Sequence, residues 1–178
     1  MAREDYAIVL DFLPCGFPLD NKRTPLAIVI GEKGLVLLQI IPRRGEKFDI
    51  NERIYIGDGK RDKVQYILGR CPREKLTDTT KLNLEDFIKK CVGEDEERFV
   101  KFFNKAQAIN TRLHQLELLP GLGKKHTMAV LEAREEELFQ SFDDIKQRVV
   151  NMPSPDKIIT KRIMEELCDI QRHSLFVI

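Results

Sequence analysis

The sequence predicts an α+β protein: a small five-stranded β-barrel in the N-terminal part, followed by an all-helical domain. Three observations carry this. Up to about residue 75 the apolar residues come in short or alternating runs cut by turn residues, the pattern of strands. From Asn83 onward they recur at helical spacing instead. A hydrophobic fraction of 42%, with 10 Phe and no Trp among 178 residues, is enough to pack a core in one generous domain or two small ones. The expected organisation is a barrel over 1–75, linking helices over 76–108 and a helical domain over 109–178.

The strand candidates are 6–13, 26–30, 35–41, 53–57 and 64–69. Gly31-Glu32-Lys33-Gly34 reads as a hairpin between the second and third, since glycines at both ends of a short polar loop supply the backbone freedom of a tight turn. Five short strands in so little chain suggest an OB-like barrel, the commonest five-stranded closed sheet, and an SH3-like barrel fits the same count.

In the second half, Asn83 can cap a helix whose first turn holds Glu85 and Asp86, where acids oppose the positive end of the dipole. Phe99, Phe102, Phe103 and Ala106 form one face of the next helix, and Ile109, Leu113 and Leu116 continue that spacing towards Leu119. Ser141-Phe142-Asp143-Asp144 starts another helix, with Ile145, Val149 and Val150 as its apolar stripe.

The most informative stretch runs from Leu116 to Leu131. A helical pattern stops at Pro120, Gly121 and Gly123 flank the single apolar Leu122, and a second helical pattern begins at once. Glycines let a backbone turn tightly and approach a ligand closely, and the free amides of the following helix N-terminus favour phosphate. Lys124 and Lys125 sit where they add charge-assisted hydrogen bonds. Leu122 is the expected inward plug, and Thr127 follows in the first helical turns. The Pro-Gly-apolar-Gly hairpin resembles the helix-hairpin-helix motif, whose hairpin grips nucleic-acid backbone. Nucleotide loops do not fit. A P-loop needs Gly where Leu118 stands and Ser or Thr in place of Lys125, and a dinucleotide fingerprint needs Gly at His126 and a preceding strand.

A shift of 33 residues lays Met152 to Glu165 onto Leu119 to Glu132, matching Pro, Lys, Thr and Glu. Ser154, Pro155 and Asp156 replace Gly-Leu-Gly. Two such hairpins joined by a connector helix, expected at 135–139, have the layout of a tandem helix-hairpin-helix module whose pairing buries both apolar faces. In the second copy only Lys157 and Lys161 favour phosphate, while Asp156 repels it, so its expected role is mainly structural.

A barrel followed by tandem hairpins resembles an uncharacterised archaeal family catalogued as a domain of unknown function and described as RNA- or nucleotide-binding. The segments carrying the likeness are 6–14, Ile54-Tyr55-Ile56-Gly57 and Leu119-Pro120-Gly121-Leu122-Gly123, and it spans nearly the whole chain. The resemblance implies an architecture and a nucleic-acid partner.

Charge places a second surface. Lys and Arg total 30 against 29 Asp and Glu, yet residues 41–75 hold 10 basic against 6 acidic. Arg43, Arg44 and Lys47 follow one strand, and Lys60, Arg61 and Lys63 lie in or beside the Gly57-Asp58-Gly59 loop. Tyr55 and Tyr66, on strands expected to be adjacent, offer stacking faces for single-stranded bases.

Catalysis finds no anchor. His114, His126 and His173 are scattered, and the acid runs 94–97 and 135–137 read as a helix start and a solvated helix face rather than a metal-dependent nuclease centre. Cys15, Cys71, Cys91 and Cys168 lack zinc or disulfide spacing. No cofactor, metal or membrane span is expected, and without a secretory leader pattern the expected location is the cytoplasm. The expected function is non-catalytic, sequence-independent binding of RNA or DNA. The alternative is a protein-interaction adaptor in an RNA- or DNA-processing assembly.

Overall fold

The computed structural model describes residues 4–18 and 23–178. The chain forms two compact units, Met1–Asp86 with Glu166–Ile178, and Phe87–Glu165.

In the first unit every run expected to be a strand is one: β1 (Tyr6–Leu13), β2 (Leu26–Gly31), β3 (Leu37–Pro42), β4 (Arg53–Tyr55) and β5 (Val64–Arg70). They form one antiparallel sheet in the order β4-β1-β2-β3-β5, curled into a half-barrel. Alternation puts Ala7 and Val9, Ala27 and Val29, Ile40, Ile54 and Val64 on one face, where they bury Phe48 from the loop before β4. The sheet stays open among the described residues. β4 pairs only with β1 and β5 only with β3. β4 has just three residues, and β5 carries a bulge where Gly69 takes φ +131°.

The hairpin between β2 and β3 forms as expected, closed by Gly31 N–H to the Val36 carbonyl at 2.9 Å, but its glycines have another role. The left-handed residue is the buried Leu35, at φ +53°. Gly31 and Gly34 instead leave room for the Glu4 carboxylate, which accepts from Lys33 N–H at 3.0 Å and Gly34 N–H at 2.5 Å.

Helix α1 (Asp78–Glu94) starts five residues before Asn83. Thr77 supplies the cap, its Oγ1 accepting from Thr80 N–H at 3.0 Å and donating to the buried Asp11 carboxylate at 2.5 Å. Asn83 lies inside the helix because its amide is needed elsewhere. A bulge between Val9 and Asp11 in β1 lets the Asn83 Nδ2 donate to the Leu10 carbonyl at 2.7 Å.

In the second unit, α2 (Glu96–Lys105) follows Asp95 and buries Phe99, Val100 and Phe103. The helix expected through Ile109, Leu113 and Leu116 is replaced by a small antiparallel pair, β6 (Ala108–Asn110) and β7 (Leu113–His114), and a 3-10 turn, Gln115–Leu118. Two side chains stop helix growth there. The Asn110 Oδ1 accepts from Arg112 N–H at 2.8 Å, an Asx turn, and Arg134 takes the Phe103 and Ala106 carbonyls at 3.0 and 2.9 Å. The second half is therefore not all-helical.

Three helices complete the chain: α3 (Lys124–Glu136), α4 (Phe142–Arg148) and α5 (Pro155–Cys168). Ser141 caps α4 as expected, accepting from Asp144 N–H at 3.0 Å. The connecting helix is α4 rather than 135–139. Residues beyond Glu136 leave the helix so that Phe139 can bury, its N–H and carbonyl both bonded at 2.9 Å to the Asn104 amide. Val150, expected on the α4 stripe, lies past the helix end and is 78% exposed. Among the described residues no helix is long and apolar enough to cross a membrane.

Candidate nucleic-acid interface

The turn ahead of α3 is built by four residues. Leu119 and Leu122 are buried, the Leu122 N–H donates to the Leu119 carbonyl at 3.1 Å, and Gly121 between them takes φ +86°. Pro at the second position and a left-handed Gly at the third are the signature of a type II turn. Leu122 is thus a plug and Gly121 a conformational necessity. Gly123 then serves as N-cap of α3 without a side-chain partner, and Thr127 N–H is the first amide to find an acceptor, the Gly123 carbonyl at 3.0 Å.

The amides of Lys124, Lys125 and His126 accordingly have no acceptor among the described residues, as the first turn of any helix requires unless capped. They stand at the positive end of the helix dipole beside two exposed ammonium side chains, Lys124 and Lys125. Thr127 is different. It is 5% exposed, and its Oγ1 is buried without a hydrogen-bond partner, behind the turn rather than on it.

A second turn of the same form follows 30 residues on, not 33. Val149 and Met152 are buried like Leu119 and Leu122, the Met152 N–H donates to the Val149 carbonyl at 3.3 Å, and Asn151 takes the left-handed position at φ +57°. Aligning Pro153 with Pro120 hides this match, because in the second copy Asn stands for Gly and the Pro lies beyond the turn. The two turns are neighbours. His126 Nε2 lies 3.1 Å from the Asn151 carbonyl, and a Cβ placed on Gly121 would meet the Pro153 ring at 3.8 Å.

The second turn offers less to an anion. Pro155 has no N–H, and the Ser154 carbonyl already accepts from Lys157 and Ile158 at 3.1 Å each, which leaves the Asp156 amide beside its own carboxylate. Lys157 and Lys161 are exposed on α5.

The basic surface of the first unit is partly committed to the protein itself. Lys63 bonds Glu52 at 2.6 Å, Arg43 Nε donates to the Arg61 carbonyl at 3.0 Å, and Arg61 Nε donates to the Gly57 carbonyl at 2.7 Å. The bond to Glu52 holds the Lys63 ammonium above its ordinary value. Burial would raise the Glu52 carboxyl, but Lys63 and the Asp49 amide together bring it below the usual range. Arg44 and Lys60 are exposed with no protein partner among the described residues.

Tyr55 and Tyr66 are not on adjacent strands. β4 and β5 are opposite edges of the ladder, and the Tyr55 hydroxyl is used to fold the next loop, accepting from Gly59 N–H at 3.0 Å. Tyr66 is 45% exposed. An unforeseen group sits beside β4, where Arg53 stacks 3.7 Å over the Tyr6 ring, which packs edge-on to Tyr55. The cross-strand register Tyr6 to Tyr55 makes this pair, and pairing of the first and fourth strands is the signal that would have found it. Among the described residues no three His, Cys, Asp or Glu side chains are grouped as a metal site would need.

Fold and site together define an α+β protein with a curled five-stranded antiparallel sheet and a helical unit that presents paired turns. The chain belongs to the family described as protein of unknown function (DUF655), whose model matches residues 3–178. It is similar to the uncharacterized protein MJ0038 of Methanocaldococcus jannaschii, at 40% identity over 174 residues, covering 98% of this chain and 79% of that one. It is also similar to the crystal structure of Af1531 from Archaeoglobus fulgidus, with a TM-score of 0.83 and 43% identity, over 98% of this chain and all of the other. The expected resemblance to an uncharacterised archaeal family therefore holds.

Proposed function

We propose that the protein binds nucleic acid without catalysis, gripping backbone phosphate at the turn from Leu119 to Gly123 and the first turn of α3. In this reading the paired turns act as a tandem helix-hairpin-helix module, and the curled sheet acts as an OB-like surface. The observation that carries it is the set of three unpaired amides at Lys124, Lys125 and His126, flanked by two exposed lysines and fixed by a turn with a buried plug. Main-chain amides bind phosphate without reading bases, so the binding is sequence-independent. The second turn braces the first, because its own helix start is occupied.

Fluorescence anisotropy with duplex DNA, single-stranded RNA and folded RNA over a salt series tests this. Binding that weakens with salt is expected. K124E/K125E should abolish it or weaken it strongly while leaving thermal melting unchanged. Binding unaffected by that pair would remove the turn from the account, and no binding to any of the three at low salt would remove the function.

A second reading, a protein-docking surface, is favoured by the exposed Val150 at the tip of the second turn and by Met128 on α3. Val150→Ser with Met128→Ser should leave nucleic-acid affinity intact if phosphate is the ligand.

A further inference from the structure

The open edge of the half-barrel leaves a cleft of about 510 Å³ within the first unit, a volume in the range of small-ligand pockets. Its walls are aliphatic: Leu38 of β3, Ile56 just beyond β4 and Ile67 of β5. All three belong to or pack against the buried cluster of that sheet face, so the cleft opens directly onto the core. Arg61 and Arg70 also line it.

Both guanidinium groups are fixed through one nitrogen. Arg61 Nε donates to the Gly57 carbonyl at 2.7 Å, and Arg70 Nη2 donates to the main-chain oxygen of Ile178, the last residue, at 3.1 Å. The remaining N–H groups of each fork are therefore held in place for an anion. Of the two acids lining the cleft, Glu4 is committed to the Lys33 and Gly34 amides, and Asp58 has an interaction partner within the protein. Gly69 has open space where a Cβ would stand, so a planar group can approach the backbone there.

We propose that this cleft takes one unstacked base of a single strand, with the flanking phosphates on Arg61 and Arg70. The inference rests on the nucleic-acid reading above and adds to it a second contact, specific for single strands. Aliphatic side chains pack against a base without hydrogen-bonding its edges, so such contact carries little base identity, which suits a binder without sequence preference. An extended peptide added to β5 is the competing occupant. It would need a regular row of free backbone groups, and the β5 bulge, with Gly69 at φ +131°, breaks that spacing.

Since the chain has no Trp, Ile67→Trp places a single reporter in the cleft wall. A short oligouridylate or oligoadenylate should quench it, and a duplex of the same length should not. In the otherwise unaltered protein, R61A/R70A should weaken single-strand binding and lower the slope of log affinity against log salt by about 1.4, about 0.7 for each lost phosphate contact. R61K/R70K keeps both charges and should weaken binding less, and Leu38→Phe, which narrows the cleft without touching charge, should weaken it in the same assay.

If single strands bind by anisotropy, but R61A/R70A and Leu38→Phe change neither affinity nor slope, this inference is overturned and the phosphate grip at α3 stands. Quenching by a short valine–threonine peptide instead of by oligonucleotide would assign the cleft to a peptide and likewise overturn it. If no oligonucleotide binds at all, both readings fall.

Discussion

The left-handed positions of the two turns make a sharp prediction about substitution. Gly121 and Asn151 occupy the same place, at φ +86° and +57°, and a Cβ at Gly121 meets nothing closer than the Pro153 ring at 3.8 Å. Any cost of a side chain there is therefore backbone strain rather than collision. For Gly121→Ala the strain is about 1–2 kcal/mol. Stiffening of the unfolded chain returns about 0.4–1 kcal/mol, leaving roughly 1 kcal/mol net destabilisation. For a chain of this length that lowers the melting temperature by about 2–4 °C. Asn tolerates the left-handed region, so Gly121→Asn should cost clearly less than Gly121→Ala, and the β-branched Gly121→Val clearly more. The same order should hold at the second turn: Asn151→Gly near neutral, Asn151→Ala destabilising, Asn151→Val worse. Far-UV circular dichroism melts of the six variants decide it. If Val is tolerated at either position, or Asn at 121 is no better than Ala, the equivalence of the two turns is refuted.

Three further outcomes are expected. Gly31→Ala should expel Glu4 from the Lys33 and Gly34 amides, because the new Cβ overlaps the Glu4 side chain; in a Glu4→Ala background the same change should cost much less, which a double-mutant cycle of melts measures. Ser141→Ala should remove the α4 cap and cost about 1 kcal/mol by urea denaturation, with Ser141→Asp close to wild type. Burial, with the Arg134 charge, holds His114 below its ordinary value of 6.5, and its Nδ1 accepts from Leu116 N–H at 3.1 Å, a bond only the neutral ring can make. Below pH 6.5 the unfolded chain therefore binds the proton first, so this contribution to stability is complete above 6.5 and is lost as pH falls towards the lower folded value. Melting curves should show the loss, and His114→Asn should flatten that dependence.

Strand β1 is legible because one of its faces lies in the core, so that alternation survives in Tyr6-Ala7-Ile8-Val9, whereas β2, buried throughout, is legible as a short continuous apolar run. Helix α2 and the Ser141 cap were legible for the corresponding local reason. What the sequence pattern conceals depends on partners distant in sequence. Asn83 resembles a cap by type, yet it serves a carbonyl of β1, 73 residues away. Ile109, Leu113 and Leu116 fit a helical period, but Arg134 takes the Phe103 and Ala106 carbonyls at the end of α2, and the Asn110 turn breaks the run after Ile109. Tyr55 and Tyr66 are close in sequence and sit on opposite edges of the ladder, a fact only strand order reveals. The first turn was readable from Pro-Gly-Leu-Gly. The second is hidden from a 33-residue shift by three residues, because Asn151 stands where the first turn has a glycine and Pro153 lies beyond the turn.

The central claim is that main-chain amides at the start of α3 hold phosphate. Amide chemical shifts of the labelled protein, followed as a nucleic acid is added, test it most directly. The largest movements are expected at Lys124, Lys125 and His126, with little change at Lys157 and Ile158, whose amides are already bonded to Ser154. Saturable binding that leaves the α3 amides unmoved, or moves those of α5 instead, would contradict it.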